Sequence, residues 1–129
     1  EEFAATTLAE VDYLAEADQL AADNPLRKVA MDYRAAYQRS HGAAPVDAFS
    51  AYTYDAWLLF ADAATRALQT KAEPGTAAFR TALKDAIAST RELAGTHGVF
   101  NFQPNNAYGL DRRSAVVIKL DKGFWKLVP

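Results

Sequence analysis

Few groups in this 129-residue chain have the type and spacing to do chemistry. There are two histidines, His41 and His97. A histidine acting as a base needs a nucleophile on one side and an orienting carboxylate on the other, and a metal site needs further ligands at workable spacing. His97 lies between Thr96 and Gly98, and His41 lies far from it, just before Gly42. They are read as a turn residue and a cation at a helix end. Asp55, Asp62 and Arg66 are spaced by seven and four. At about 100° per residue they fall on one narrow stripe of a helix. Asp55 and Asp62 then stand two turns apart, roughly 10 Å, too far to share a proton. Arg66 is the natural partner of Asp62, so the stripe is read as solvated. The stretch from Asn101 to Asp111 is rich in side-chain oxygens, but it lacks the alternating ligands and closing glutamate of a calcium loop.

With no cysteine in the chain, disulfides, thiolate zinc sites and a cysteine nucleophile are excluded. No phosphate-cradling glycine loop, serine elbow or basic-aromatic stripe is present. No catalytic residue, metal ligand or cofactor is predicted, and the chain is not read as an enzyme. What remains is the aromatic set Phe49, Tyr52, Tyr54 and Trp57. Aromatics at this density favour a core. Those near a helix start are also placed to line a pocket, since a helix N-terminus offers unpaired N–H groups to an anion.

The elements that must position these residues follow from periodicity and punctuation. Residues 3–22 are Ala-rich and loosely periodic, which suggests a helix. Asn24-Pro25 is a sharper start, an N-cap followed by proline at the first helical position. Leu26, Val29, Ala30, Tyr33 and Tyr37 then recur at helical spacing, and His41-Gly42 supplies the stop. The loop 43–47 leads to a second helix over 47–68, with Asp47 as N-cap. Outside its charged stripe that helix is apolar nearly all round, as a buried helix is. Two amphipathic helices and a hairpin are too little to cover it, which implies another part of a longer chain or a second copy.

Glu73-Pro74-Gly75-Thr76 breaks the second helix, and a third is predicted over 77–93, ended by Gly95. It places Phe79, Leu83, Ala86, Ile87 and Thr90 on one face. Residues 99–102 read as a short strand and 103–106 as a turn. Residues 114–120 form a β-branched run, joined through Asp121-Lys122-Gly123 to a hairpin partner at 124–128. Helices come first and strands last.

Half the residues are hydrophobic and 23% are charged, as in an ordered globular domain. The formal charge of −2 provides no footprint for nucleic acid. No apolar run approaches the roughly 18 residues of a membrane span. The opening Glu1-Glu2-Phe3 has neither the basic start nor the cleavage site of a secretion signal.

The ordered set "DNPLRKVAMDYRAAYQRSHG", "YTYDAWLLFADA", "PGTAAFRTALKDAI" and "GTHGVFNFQPNNAYGLDRRSAVVIKLDKGFWKLV" resembles the C-terminal region of a known family. It is similar to the branched-chain amino acid (Leu/Ile/Val)-type periplasmic solute-binding proteins of ABC transporters. More narrowly, it resembles the branch that binds amino acids or small aromatic carboxylates. The likeness runs from Gln19 to Val128, with residues 1–23 as a poorly matching lead and 24–129 as the C-terminal portion of a two-lobed domain. It implies an α/β fold, that of a type I periplasmic binding protein, in which two lobes are joined by a hinge that the chain crosses three times. This chain would supply the last helices of the first lobe and the final crossing. It implies a periplasmic or extracytoplasmic address, an ABC permease as partner and a small-molecule ligand. The segment entering the "YTYDA" helix would face the cleft, which makes Phe49, Ser50 and Tyr52 the expected ligand neighbours. Remaining ligand contacts would lie upstream. Two other classes stay open: a helical interaction or dimerisation module burying residues 49–68, and the ligand-sensing domain of a receptor or regulator built on the same fold.

Overall fold

The computed structural model describes residues 17–42 and 48–128. Three helices come first: α1 (Pro25–His41), α2 (Ala48–Leu68) and α3 (Ala77–Ala88). Four short strands follow: β1 (Leu93–Ala94), β2 (Val99–Phe100), β3 (Ile118–Asp121) and β4 (Phe124–Leu127). They form two separate two-stranded antiparallel sheets, β1–β2 and β3–β4.

The first helix forms where its punctuation places it. The Asn24 side chain accepts from Leu26 N–H, Pro25 opens the helix, and Gly42 N–H closes it on the Gln38 carbonyl. Helix α3 starts on Thr76, whose hydroxyl accepts from Phe79 N–H. It stops at Ala88, a turn short of the predicted end at residue 93. Thr90 therefore sits beyond the helix, and Gly95 belongs to the turn joining β1 and β2. The early stop has a visible cause. Arg66, on α2, donates to the Ala86 carbonyl, the Ser89 hydroxyl and the Thr90 hydroxyl while holding Asp62. Its guanidinium satisfies the carbonyl end of α3 from outside and complements the negative end of the helix.

Other boundaries shift for similar reasons. Of the segment expected to be helical over 3–22, residues 1–16 lie outside the described residues, as do Asp47 and the loop 43–47. Ala17–Gln19 is a single 3₁₀ turn, and no α-helix follows before Pro25. The strand predicted over 99–102 is only Val99–Phe100. The run 114–120 is a strand only from Ile118, because Arg112–Ser114 form a 3₁₀ turn capped by the Asp111 side chain. The closing hairpin has the predicted turn, with Asp121 opposite Phe124 and both Lys122 and Gly123 at positive φ, as a two-residue turn between twisted strands requires.

Among the described residues, side chains pack in two small clusters. One joins Ala17, Ala30, Tyr33 and Ala51, with Met31, Tyr37 and Tyr54 against it. The other joins Leu20, Leu26 and Val99, with Val116 and Leu127. Alanines on the buried faces let backbones approach closely, and much of the core is built of them. Large apolar groups are instead on the outside of α2, where Phe49, Trp57, Phe60 and Leu68 lie on one exposed face. That helix is expected to need cover from outside this chain; among the described residues its buried ones are the stripe Ala51, Asp55, Ala63 and Ala67.

Near the strands an ion-pair network fastens the long loop. Arg113 bridges Asp111 and Glu92, at 2.7 and 2.8 Å. Asn101 and Glu92 brace the base of β1–β2, with Glu92 N–H donating to the Asn101 amide oxygen and the Asn101 amide donating back to the Glu92 carboxylate. Side-chain and backbone hydrogen bonds from Arg113 push the Asp111 carboxyl down from its ordinary 3.8 to about 2. A depressed carboxyl stabilises the fold fully above its unfolded value of about 4 and loses that effect as the pH falls through its folded value. Asp111 should accordingly titrate near pH 2 in a carboxyl-resolved NMR titration. Arg113→Gln should return it toward about 4; an unchanged Asp111 in that variant would show the pairing to be absent in solution.

Candidate functional site

The helical wheel puts Asp55 and Asp62 on one solvated stripe. Asp62 fits, since it pairs with Arg66 at the half-exposed edge of α2. Asp55 does not: it is 3% exposed and faces the turn between β1 and β2. One carboxylate oxygen accepts from Thr96 N–H at 2.6 Å. The other accepts from His97 N–H at 3.1 Å and lies 3.2 Å from His97 Nδ1. A buried carboxylate is stable only when its lone pairs are taken up in this way. Burial is permitted here because the turn offers it two backbone donors, with the His97 ring beside them.

Local chain chemistry makes room for the contact. Gly95 N–H donates to the Gly98 carbonyl and closes the turn. A Cβ on Gly95 would sit 2.7 Å from the Phe100 ring and 2.8 Å from the Asp55 carboxylate, so only glycine lets the strand end approach α2 this closely. A Cβ on Gly98 would meet Leu110 and Ser114 at 2.7 Å. The "GTHG" stretch is thus fixed on both sides by close approach.

His97 is therefore more than a turn residue. It is 6% exposed, and a carboxylate that the sequence places 42 positions away holds its Nδ1. Thr96 Oγ1 lies 2.7 Å from the same nitrogen and donates to the Ala51 carbonyl at 3.5 Å. Tyr52 stacks on the imidazole, with ring centroids 4.0 Å apart and planes 27° from parallel. Nε2, the other ring nitrogen, is buried and has no hydrogen-bond partner among the described residues. An unsatisfied buried nitrogen costs about 1–3 kcal/mol.

The expected ligand neighbours Phe49, Ser50 and Tyr52 all lie in the first turns of α2. Phe49 is 81% exposed and Tyr52 42%, and their rings meet edge to face at 6.4 Å. The structure brings Tyr52 together with His97, while Tyr54 turns away to pack on Tyr33 at 4.8 Å. His41 is separate: its Nδ1 lies 3.1 Å from the Tyr37 carbonyl and its ring stacks on Tyr37. Among the described residues no three His, Asp, Glu or Cys side chains gather as a metal site; the Asn101 side chain bonds Glu92, that of Asn106 bonds Gly109 and Leu110, and that of Asp111 bonds Arg113.

No protein-family model matches the chain, and no curated protein matches it. Solved structures do. It is similar to the protein Rp1789 of Rhodopseudomonas palustris strain CGA009, with 27% identity and a TM-score of 0.78 over 92% of this chain and 33% of that one. It is also similar to an extracellular ligand-binding receptor from Rhodopseudomonas palustris HaA2, with 35% identity and a TM-score of 0.76 over 91% of this chain and 32% of that one. A further extracellular ligand-binding receptor from Rhodopseudomonas palustris shares 28% identity and a TM-score of 0.77. The chain spans about a third of the length of the solved structures it matches. It is a helix-rich α/β unit whose three helices and short strands match part of a ligand-binding receptor fold.

The two aspartates of α2 should respond differently to mutation. Asp55→Ala removes the acceptor of two buried backbone donors and should cost about 3–5 kcal/mol in urea denaturation, the range for breaking a buried pair. Asp62→Ala breaks a partly exposed pair and should cost less than about 1 kcal/mol. Equal losses would restore the solvated-stripe reading of Asp55.

Proposed function

We propose that residues 24–129 are the C-terminal portion of an extracytoplasmic solute-binding protein that delivers its ligand to an ABC permease. In this reading two lobes close about a hinge on an amino acid or small aromatic carboxylate, and the ligand stabilises the closed state because it binds that state better. No bond is made or broken. Phe49, Ser50 and Tyr52, at the start of α2, contribute this chain's share of the cleft.

The observation that carries this reading is the likeness, over about nine-tenths of the chain, to a third of each extracellular ligand-binding receptor. The outer face of α2 supports it. Trp57 and Phe60 stack on each other at 5.8 Å on an exposed surface, and exposed apolar patches of this kind mark surfaces that pack on something. The remainder of a longer chain would cover them. A second copy of the chain is the competing occupant, favoured by the same face, and would appear as a dimer in sedimentation.

Because the cleft lies between lobes, the isolated 129 residues should give no measurable heat with amino acids or aromatic acids in titration calorimetry. A complete two-lobed protein carrying them should bind one of these. Micromolar binding by the isolated chain would contradict the shared-cleft reading.

A further inference from the structure

We infer that His97 is a positioning residue of the cleft: its ring, held in place by Asp55, fixes the ring of Tyr52 before any ligand arrives. This rests on the solute-binding reading above, which puts Tyr52 at the cleft, and adds to it a residue that itself touches no ligand. The imidazole lies against the Tyr52 ring with centroids 4.0 Å apart and planes 27° from parallel, near the offset stack that aromatic rings prefer. Tyr52 in turn meets Phe49 edge to face at 6.4 Å. Exposure rises along this series, from the buried imidazole through Tyr52 to Phe49. The three rings thus form a row with its inner end anchored and its outer end in the open.

The anchor is a join between two elements distant in sequence. Asp55, about one helical turn after Tyr52 on α2, accepts from the backbone N–H groups of Thr96 and His97 and lies 3.2 Å from His97 Nδ1. The Thr96 hydroxyl lies 2.7 Å from the same nitrogen and donates to the carbonyl of Ala51, the residue before Tyr52. The β1–β2 turn is therefore bonded to α2 on both sides of Tyr52. Gly95 and Gly98 have no room for a Cβ, and a turn packed this closely cannot shift without displacing its neighbours. Helix and turn act as one body, and the Tyr52 ring rests on a surface that does not retreat. A side chain ordered in advance loses less rotamer freedom when a ligand binds. Tyr52 makes a further contact besides these two rings, so removing His97 loosens the Tyr52 ring and does not free it.

The test uses the complete two-lobed protein, with leucine, phenylalanine and benzoate as probes in titration calorimetry. For a probe that binds, His97→Ala should weaken affinity about three- to tenfold, the cost of ordering one side chain during binding. Tyr52→Ala should weaken it by at least as much. In the Tyr52→Ala background His97→Ala should then have no further effect, because a residue that acts through another is not additive with it. His97→Phe, which keeps a ring in the stack, should restore most of the loss. His97→Gln leaves a polar group for Asp55 without a ring, and the cycle run with it decides the matter if the Ala or Phe variant does not fold. The Tyr52 ring protons should shift in NMR when His97 loses its ring and stay in place in Asp62→Ala. Additive losses in the cycle, unchanged affinity in Tyr52→Ala, or a folded Phe variant no better than the Gln variant would overturn the inference alone. No binding of any probe would overturn the amino-acid or aromatic-acid reading together with it.

Discussion

One buried carboxylate organises the centre of this structure. Asp55 lies on the buried stripe of α2, whose other members are alanines, and accepts hydrogen bonds from the turn that links β1 and β2. Without those donors, burying it would be prohibitive. Without Asp55, the backbone N–H groups of Thr96 and His97 would be orphaned in the interior. Each side makes the other tolerable, and the pairing brings the strand region onto α2 at a fixed register. Gly95 and Gly98 are part of the same constraint, because a Cβ at either would occupy space already filled.

The same α2 presents two unlike faces. Its inner stripe is small and polar enough to seat the turn, and its outer face carries Phe49, Trp57, Phe60 and Leu68 in the open. A chain optimised to stand alone would put its largest apolar groups inward. Here alanines occupy the inside, which suits a unit that packs on more structure through its outer side. The likeness to a third of much longer receptors agrees with this division.

How much was legible beforehand depended on how local the cause was. Asn24-Pro25, Thr76 and the Asp121–Phe124 turn act through neighbours two or three residues away, and their elements start or turn where expected. Helix α3 ends early where Arg66, some 20 positions upstream, takes the Ala86 carbonyl in its last turn, which no periodicity records. The helical wheel assigned Asp55 to solvent by residue type alone, since its partners are more than 40 positions distant. No carboxylate stands near His97 in sequence, and the fold supplies Asp55 from 42 positions away. The clue within reach was the "GTHG" stretch, where two glycines flanking a polar pair indicate close approach by something else. The uncovered side of α2 follows from the amount of chain: its apolar girth needs more cover than two amphipathic helices and a hairpin supply, and Phe49, Trp57, Phe60 and Leu68 are exposed.

Hydrogen exchange at two backbone amides tests the central pairing most directly. If Asp55 holds the turn, Thr96 and His97 N–H should exchange as slowly as the core amides of α2, opening only with larger unfolding. Exchange at the rate of an open loop, with α2 still protected, would contradict the account.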